Sequence, residues 1–409
     1  MKEEELTRLL TLAAEDVRPA QPATAGWERA RRVRRTRRAA GAGALAVALL
    51  AGGTAIALRP ADPPPPATSA TPSPTRHPAP VQTPPAELSY PGDPLGRLGD
   101  PVGATLSAKP VRRALALHQP VDPQTGTEGR IRVLGDDGIV RDLDVVTPAR
   151  TRDAEGNEAV PLKTGSLSRD GRTAAFAQTD EVVVVDLTTA AVRRFPLKGY
   201  LEHVLWSGDR LLVGDDATTY EVDPRTGAAR KLPVSPWNVV TPDPAAPDLR
   251  DPADPGRGDR PNVLLELGGT PPSLTRIEWG DGTHPGGGTH RGSGPVDVRA
   301  LPPGNLVEEF YGRGWQRGDL VARAGWITTG NTGSLEGVAV LNARTGVVTH
   351  LLVLGRDRWK GCCEVLGWDR DGAVLLRHNP GGLLRWRPDT VEVTGVTRNL
   401  YGAVSLAAG

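Results

Sequence analysis

Cysteine is nearly missing from this sequence. Cys362 and Cys363 are the only two, too few for a disulfide-dense scaffold or a four-thiolate zinc site. An excess of either charge is missing too: Lys+Arg 49 against Asp+Glu 48 leave a net charge of +1, so no global field recruits nucleic acid or an acidic partner. Methionine occurs only at the start, and lysine only at Lys2, Lys109, Lys163, Lys198, Lys231 and Lys360, so arginine supplies nearly all the positive charge. Against these shortages stand Gly 49 and Pro 39, more than a helical protein tolerates, and the mix favours turns and strands.

Long hydrophobic runs are also scarce, which makes one of them informative. Residues 39–58 contain no charged side chain, and a helix of that length spans about 30 Å, the hydrocarbon thickness of a bilayer. Arg31, Arg32, Arg34, Arg35, Arg37 and Arg38 stand immediately before it. Such a block resists translocation, so the positive-inside rule places the N-terminus in the cytoplasm and the rest of the chain outside. The reading is a single-pass protein of the cell membrane with the lipid bilayer as its first partner. Ala55-Ile56-Ala57 also has the form of a signal-peptide cleavage site, and that alternative exports the same C-terminal part.

The remaining organisation follows from composition. Residues 1–38 form a cytoplasmic leader in which Leu6, Leu9, Leu10, Ala13 and Val17 fall at helical spacing, a short amphipathic helix by pattern. Residues 59–99 form a Pro/Ser/Thr-rich linker whose prolines favour extended, unstructured chain. Residues 100–409 repeat one local design: an apolar strand, a turn ending in Gly, and a charged strand. The best copies are residues 182–197, 219–232 and 338–351. In Asp223-Pro224-Arg225-Thr226-Gly227 the proline presets a turn, the Asp carboxylate accepts amide bonds, and Gly takes positive φ. Asn342 to Gly346 repeats this chemistry, with looser versions at Gly135 to Gly138, Gly280 to Gly282 and Arg387 to Thr390. A second turn recurs ahead of the hairpins, at Ser168-Arg169-Asp170-Gly171 and Asp369-Arg370-Asp371-Gly372.

Two turns per unit imply four antiparallel strands per unit, and such units bury their faces by stacking radially. The predicted fold is an all-β, six-bladed β-propeller, or seven-bladed if residues 102–119 pair with residues 403–407 in a separate closing sheet. The turns resemble those of TolB-like and WD-repeat propellers, whose units carry S-P-D-G-R and D-x-x-T-G. Ser168 to Arg172 matches the first with Arg in place of Pro, and Asp223 to Gly227 matches the second. The resemblance implies a fold and no binding site, because Trp368-Asp369 falls in a turn and not at a strand end. The layout of leader, anchor and exported domain is similar to actinobacterial membrane proteins found beside extracytoplasmic-function sigma factors, which implies envelope sensing.

Chemical motifs are few. There is no G-x-S-x-G and no H-x-x-x-H; His284 and His290 are close only within a Gly-rich loop, and Asp248, Asp251, Asp254 and Asp259 lack calcium-loop spacing. No catalytic residue, metal ligand or cofactor site is therefore expected. The outside of a membrane favours a bond between Cys362 and Cys363, with free thiols and an intermolecular link as the other two states. Eight of the nine tryptophans lie between Trp206 and Trp386, a pattern of packing between sheets, with Trp315, Trp326 and Trp359 as candidate ligand contacts. The functional expectation is a binding platform for an unidentified protein, peptide or glycan outside the membrane. A propeller enzyme acting on envelope glycan or peptide, marked by carboxylates and His at the channel mouth, stands beside it. So does a transducer whose leader contacts a cytoplasmic regulator.

Overall fold

The computed structural model describes residues 81–407 apart from 154, 216–217, 233, 235–237, 244–261, 280–289, 331–332, 356–361 and 379–380. The leader, the Arg31 to Arg38 block, the apolar segment 39–58 and the linker through residue 80 lie outside the described residues. Among the described residues, no helix is long and apolar enough to cross a membrane.

Among the described residues the structure is all-β, with one short 3-10 helix, Pro94–Gly99. The turn motifs act as their chemistry dictates. At Asp223 the carboxylate accepts the Arg225 amide (2.8 Å), Gly227 takes φ +78°, and a Cβ there would stand 2.5 Å from the Phe195 ring. In the second motif, Asp170 accepts from Ser168 Oγ (2.7 Å) and from the Arg172 amide (3.0 Å). The run Thr173–Asp186 folds back on itself, because the Leu187 amide reaches the Arg172 carbonyl at 2.8 Å, a span an extended strand would separate by about 50 Å. Asp180, at φ +61°, makes the reversal.

Burial records where each strand sits. Val182 to Val185 are buried on both faces, whereas Ala191–Tyr200, with Arg193 and Arg194, alternates between half-buried and exposed as an outer strand does. Hydrophobic clusters then join each sheet to the next. Leu117 and Val133 pack with Phe176 and Val185; Ala175 and Val184 with Val204 and Val222; Leu205 and Leu212 with Leu264 and Ile277. Leu265 and Leu267 pack with Phe310 and Leu351; Val338 and Leu352 with Val365 and Leu384; and Leu366 and Leu383 return to Leu134 and Val404. The series ends on the sheet where it began, so the sheets form a propeller-like ring.

The seam joins both ends of this region. Gly402–Leu406 pairs antiparallel with Ala114–Pro120, and the same sheet continues through Arg132–Gly135 and Val140–Asp142. The closing strand therefore completes that sheet and does not make a separate one. Pairing the ends removes two open sheet edges. Residues 81–99, which composition assigns to the linker, lie along the ring: Val81–Gln82 pairs with Leu351 and Leu352, buried Gln82 accepts from Trp386 Nε1 (2.6 Å), and Leu98 enters the seam core.

Candidate functional site

The innermost strands all run the same way around one axis. Ser405 Oγ bonds the Thr164 carbonyl (2.7 Å) and accepts the Leu167 amide (2.9 Å), which ties residues 164–167 to the closing strand. Trp206 Nε1 donates to Ser166 O (3.1 Å), Trp315 Nε1 to Val365 O (2.8 Å) and Trp368 Nε1 to Trp315 O (2.8 Å). Val240–Thr241 pairs in parallel with Gly314 and Trp315. All the strand starts therefore meet at one rim and all the strand ends at the other.

The strand ends enclose a cavity of about 460 Å³. Trp206, Trp315 and Trp368 line it, their indole N–H groups spent on neighbouring carbonyls and their ring edges left as apolar wall. Arg169, Arg317 and Arg370, each in or beside the turn that follows a strand end, supply its charge. Arg169 is committed to Asp243 at 2.8 Å. Asp369 is committed to Arg385 at 3.1 Å. Arg317 donates to the Arg370 carbonyl (2.9 Å), and neither Arg317 nor Arg370 forms an ion pair with a described residue. Thr241, one of the lining residues, is 7 % exposed, and its hydroxyl oxygen is buried with no hydrogen-bond partner among the described residues. A buried hydroxyl without a partner is costly unless something else bonds it.

The opposite rim carries charge. Glu364 accepts from Thr164 Oγ1 (2.8 Å) and from Arg377 Nη2 (2.8 Å); Arg150 meets Glu128 at 3.1 Å; and His203 lies 3.3 Å from Glu202. Lys163 Nζ donates to buried Thr151 Oγ1 (2.9 Å), and Arg313 Nη1 reaches the Val239 carbonyl at 3.5 Å. Burial lowers Lys163 to about 8, against the opposing charges of Glu202, Glu364 and Glu128. Burial likewise lowers Arg313 to about 10, with Glu364 opposing. Burial also lowers His118 to about 4, although the Tyr401 carbonyl, 3.0 Å from its Nε2, favours a proton there.

The sequence anticipates no cluster of carboxylates and His at a channel mouth, and the structure brings one together. Apart from the adjacent Glu202 and His203, its members lie far apart in the chain, and no local spacing marks them. Cys362 and Cys363 are buried with sulfurs 2.02 Å apart. Tyr311 Oη donates to the Cys362 carbonyl (2.8 Å) and accepts the Cys363 amide (3.2 Å). Trp315 lines the cavity; Trp326 instead packs its ring 5.8 Å from that of Tyr311. Trp359, His284 and the Asp248 to Asp259 loop lie outside the described residues. Among the described residues, no group of three or more His, Cys, Asp or Glu is placed to hold a metal.

No family model matches the sequence. No curated protein matches it. Among solved structures, the chain is similar to the β-propeller domain of the Trilobed protease from Pyrococcus furiosus, at 13% identity over 76% of this chain and 86% of that one, TM-score 0.35. It is also similar to BamB from Moraxella catarrhalis, at 14% identity over 69% and 70%, TM-score 0.33. The N-terminal domain of Nup159 is similar at 11% identity over 80% and 88%, TM-score 0.35. The ring is read from this chain's own strand pairing and packing.

Proposed function

We propose that this protein is a binding module: a six-bladed propeller outside the membrane, anchored by residues 39–58, that takes its ligand in the axial tryptophan cavity. Six inner segments, at residues 164–168, 203–207, 239–241, 313–317, 364–368 and 402–406, support that blade count. The observation that carries the binding reading is the cavity itself, about 460 Å³ walled by Trp206, Trp315 and Trp368, with Arg317 and Arg370 beside it and in no ion pair with a described residue. The tryptophan edges favour an apolar portion in the ligand, and Arg317 and Arg370 favour an anionic one. Envelope sensing fits a ligand that arrives from outside the cell.

Calorimetric titration of the full chain in lipid nanodiscs with 2-naphthoate, an anionic aromatic probe, tests this reading. Saturable binding is expected, weakened about tenfold or more by Arg317→Glu with Arg370→Glu and by using the neutral amide of the probe. Heat no different from that of empty nanodiscs would remove the binding reading. Protease shaving of intact cells tests the topology, with the ring expected to be cut and the leader protected.

A second reading has its own observation. Lys163, Glu202, His203 and Glu364 meet at the opposite rim, and a buried lysine lowered to about 8 is the kind of group an active site uses. Turnover of an envelope glycan or peptide that is lost in Glu364→Gln would favour the enzyme.

A further inference from the structure

One half-buried arginine serves two carboxylates from distant parts of the chain. Arg385, on the strand Gly382–Arg387, places Nη2 2.7 Å from Asp93 Oδ2 and Nε 3.1 Å from Asp369 Oδ2. Asp93 belongs to residues 81–99, the strap that lies along the ring. Its other oxygen accepts the Leu95 amide (2.8 Å) and so caps the helix Pro94–Gly99, which sets Leu98 in the seam core. Asp369 lines the tryptophan cavity, and Asp93 does not. The other oxygen of Asp369 accepts the Ala373 amide (2.9 Å) and closes the turn that carries Arg370, whose carbonyl receives Arg317. The two carboxylates are 7 % and 12 % exposed, and Arg385 is the one cation that meets either among the described residues. Two carboxylates on one guanidinium leave a single negative charge beside a cavity whose free cations invite an anion.

We propose that the strap sets how tightly the tryptophan cavity takes an anion, because Asp93 and Asp369 compete for Arg385. The proposal rests on the binding reading above and deepens it. An anion seated against Arg317 and Arg370 repels Asp369 and raises its demand for Arg385, which loosens the hold on Asp93. By linkage, a strap that gives up Arg385 tightens the anion by the same factor. The Asp369 contact has room to respond: Oδ2 and Nε face each other at ion-pair distance, yet neither makes a hydrogen bond, so the pair is short of the geometry that makes such contacts strong. Burial keeps salt from screening these charges fully. Asp93 is thereby a specificity-determining residue that touches no ligand, and an occupied cavity acts on the residues that directly follow the linker.

Two measurements on the full chain in nanodiscs test this, one with a probe and one without. In calorimetric titration, Asp93→Asn, which keeps an acceptor for the Leu95 amide, is expected to tighten 2-naphthoate about fivefold and to leave the neutral amide of the probe unaffected. A naphthoate affinity that is unchanged or weaker overturns the proposal. In hydrogen exchange without ligand, Asp369→Asn keeps an acceptor for Ala373 and leaves Arg385 to Asp93 alone. The amides of Leu95 and Gly96, which bond Asp93, are then expected to exchange about fivefold more slowly. A substitution that only loosened the fold would speed them. Unchanged or faster exchange there, with Val374–Arg377 still protected, also overturns the proposal. On the unsubstituted protein, saturating naphthoate is expected to speed the same two amides, and bound naphthoate that leaves them unmoved counts against the coupling whatever the variants do. Slower exchange in Asp369→Asn from a protein that binds no naphthoate would remove the binding reading and keep the coupling; normal binding with neither shift would do the reverse.

Discussion

Replacing Lys163 with methionine is expected to make the protein more stable at pH 7. Burial lowers this lysine to about 8, against about 10.4 for a free lysine, and at about 1.4 kcal/mol per unit the folded state spends about 3 kcal/mol keeping it charged. The groups that act on it are Glu202, Glu364 and Glu128, which favour the charge, and Arg150, which opposes it. Because the folded pKa lies below the unfolded one, the unfolded chain binds more protons between pH 8 and about 10.5. Stability of the unsubstituted protein therefore rises through that window and is lost as pH falls through 8. Lys163→Met removes the charge, keeps much of the stem's packing, and gives up the bond to Thr151, worth about 1 kcal/mol. The net expectation is a gain of about 2 kcal/mol at pH 7 that disappears by about pH 10.5. Urea unfolding of both full-length proteins in chloride buffers between those limits measures the gap. A gap independent of pH, or a variant less stable at pH 7, would refute the reasoning.

Acid should loosen the seam. His118 pairs with Val404 of the closing strand and is lowered to about 4, so stability is expected to fall by about 3 kcal/mol between pH 6.5 and 4, a slope that His118→Gln flattens in the same unfolding assay. Tyr311→Phe leaves the buried Cys362 carbonyl and Cys363 amide without their shared partner, and a loss of about 2 kcal/mol is expected in thermal or urea unfolding. Gly171→Ala places a Cβ 2.1 Å from the Ala114 carbonyl at φ +70°, and calorimetry should show at least about 3 kcal/mol of destabilisation.

The turns were the legible part of the fold, because their chemistry is local. Asp223 to Gly227, Asn342 to Gly346 and Ser168 to Gly171 form hydrogen-bonded turns as their residues dictate. One more copy, Asp122 to Gly126, was in plain view: its carboxylate takes the Gln124 amide at 2.7 Å and its Gly has φ +70°. It closes the local hairpin between Ala114–Pro120 and Arg132–Gly135, whose other neighbour is the strand Gly402–Leu406 at the far end of the sequence. The hairpins at residues 182–197 and 387–390, legible from their strands and turn residues, turn at Ala190 and Val391 with positive φ and no glycine. Neither rim of the channel was legible. Each collects one to four residues from segments scattered from Lys163 to Leu406, and only the ring brings them together. Tryptophan periodicity pointed to packing, and Trp206, Trp315 and Trp368 do pack, yet it could not show that their free edges line a cavity.

Hydrogen exchange of the closing strand tests the ring most directly. Among the described residues, strand 402–406 pairs on one side only, with Ala114–Pro120. If the strand seals the ring through its ladder to Ala114–Pro120, its amides should be protected as strongly as those of the buried strand Val374–Arg377. Exchange of residues 402–406 within seconds, beside a protected 374–377, would mean that the ring is open and that the two rims have no common axis.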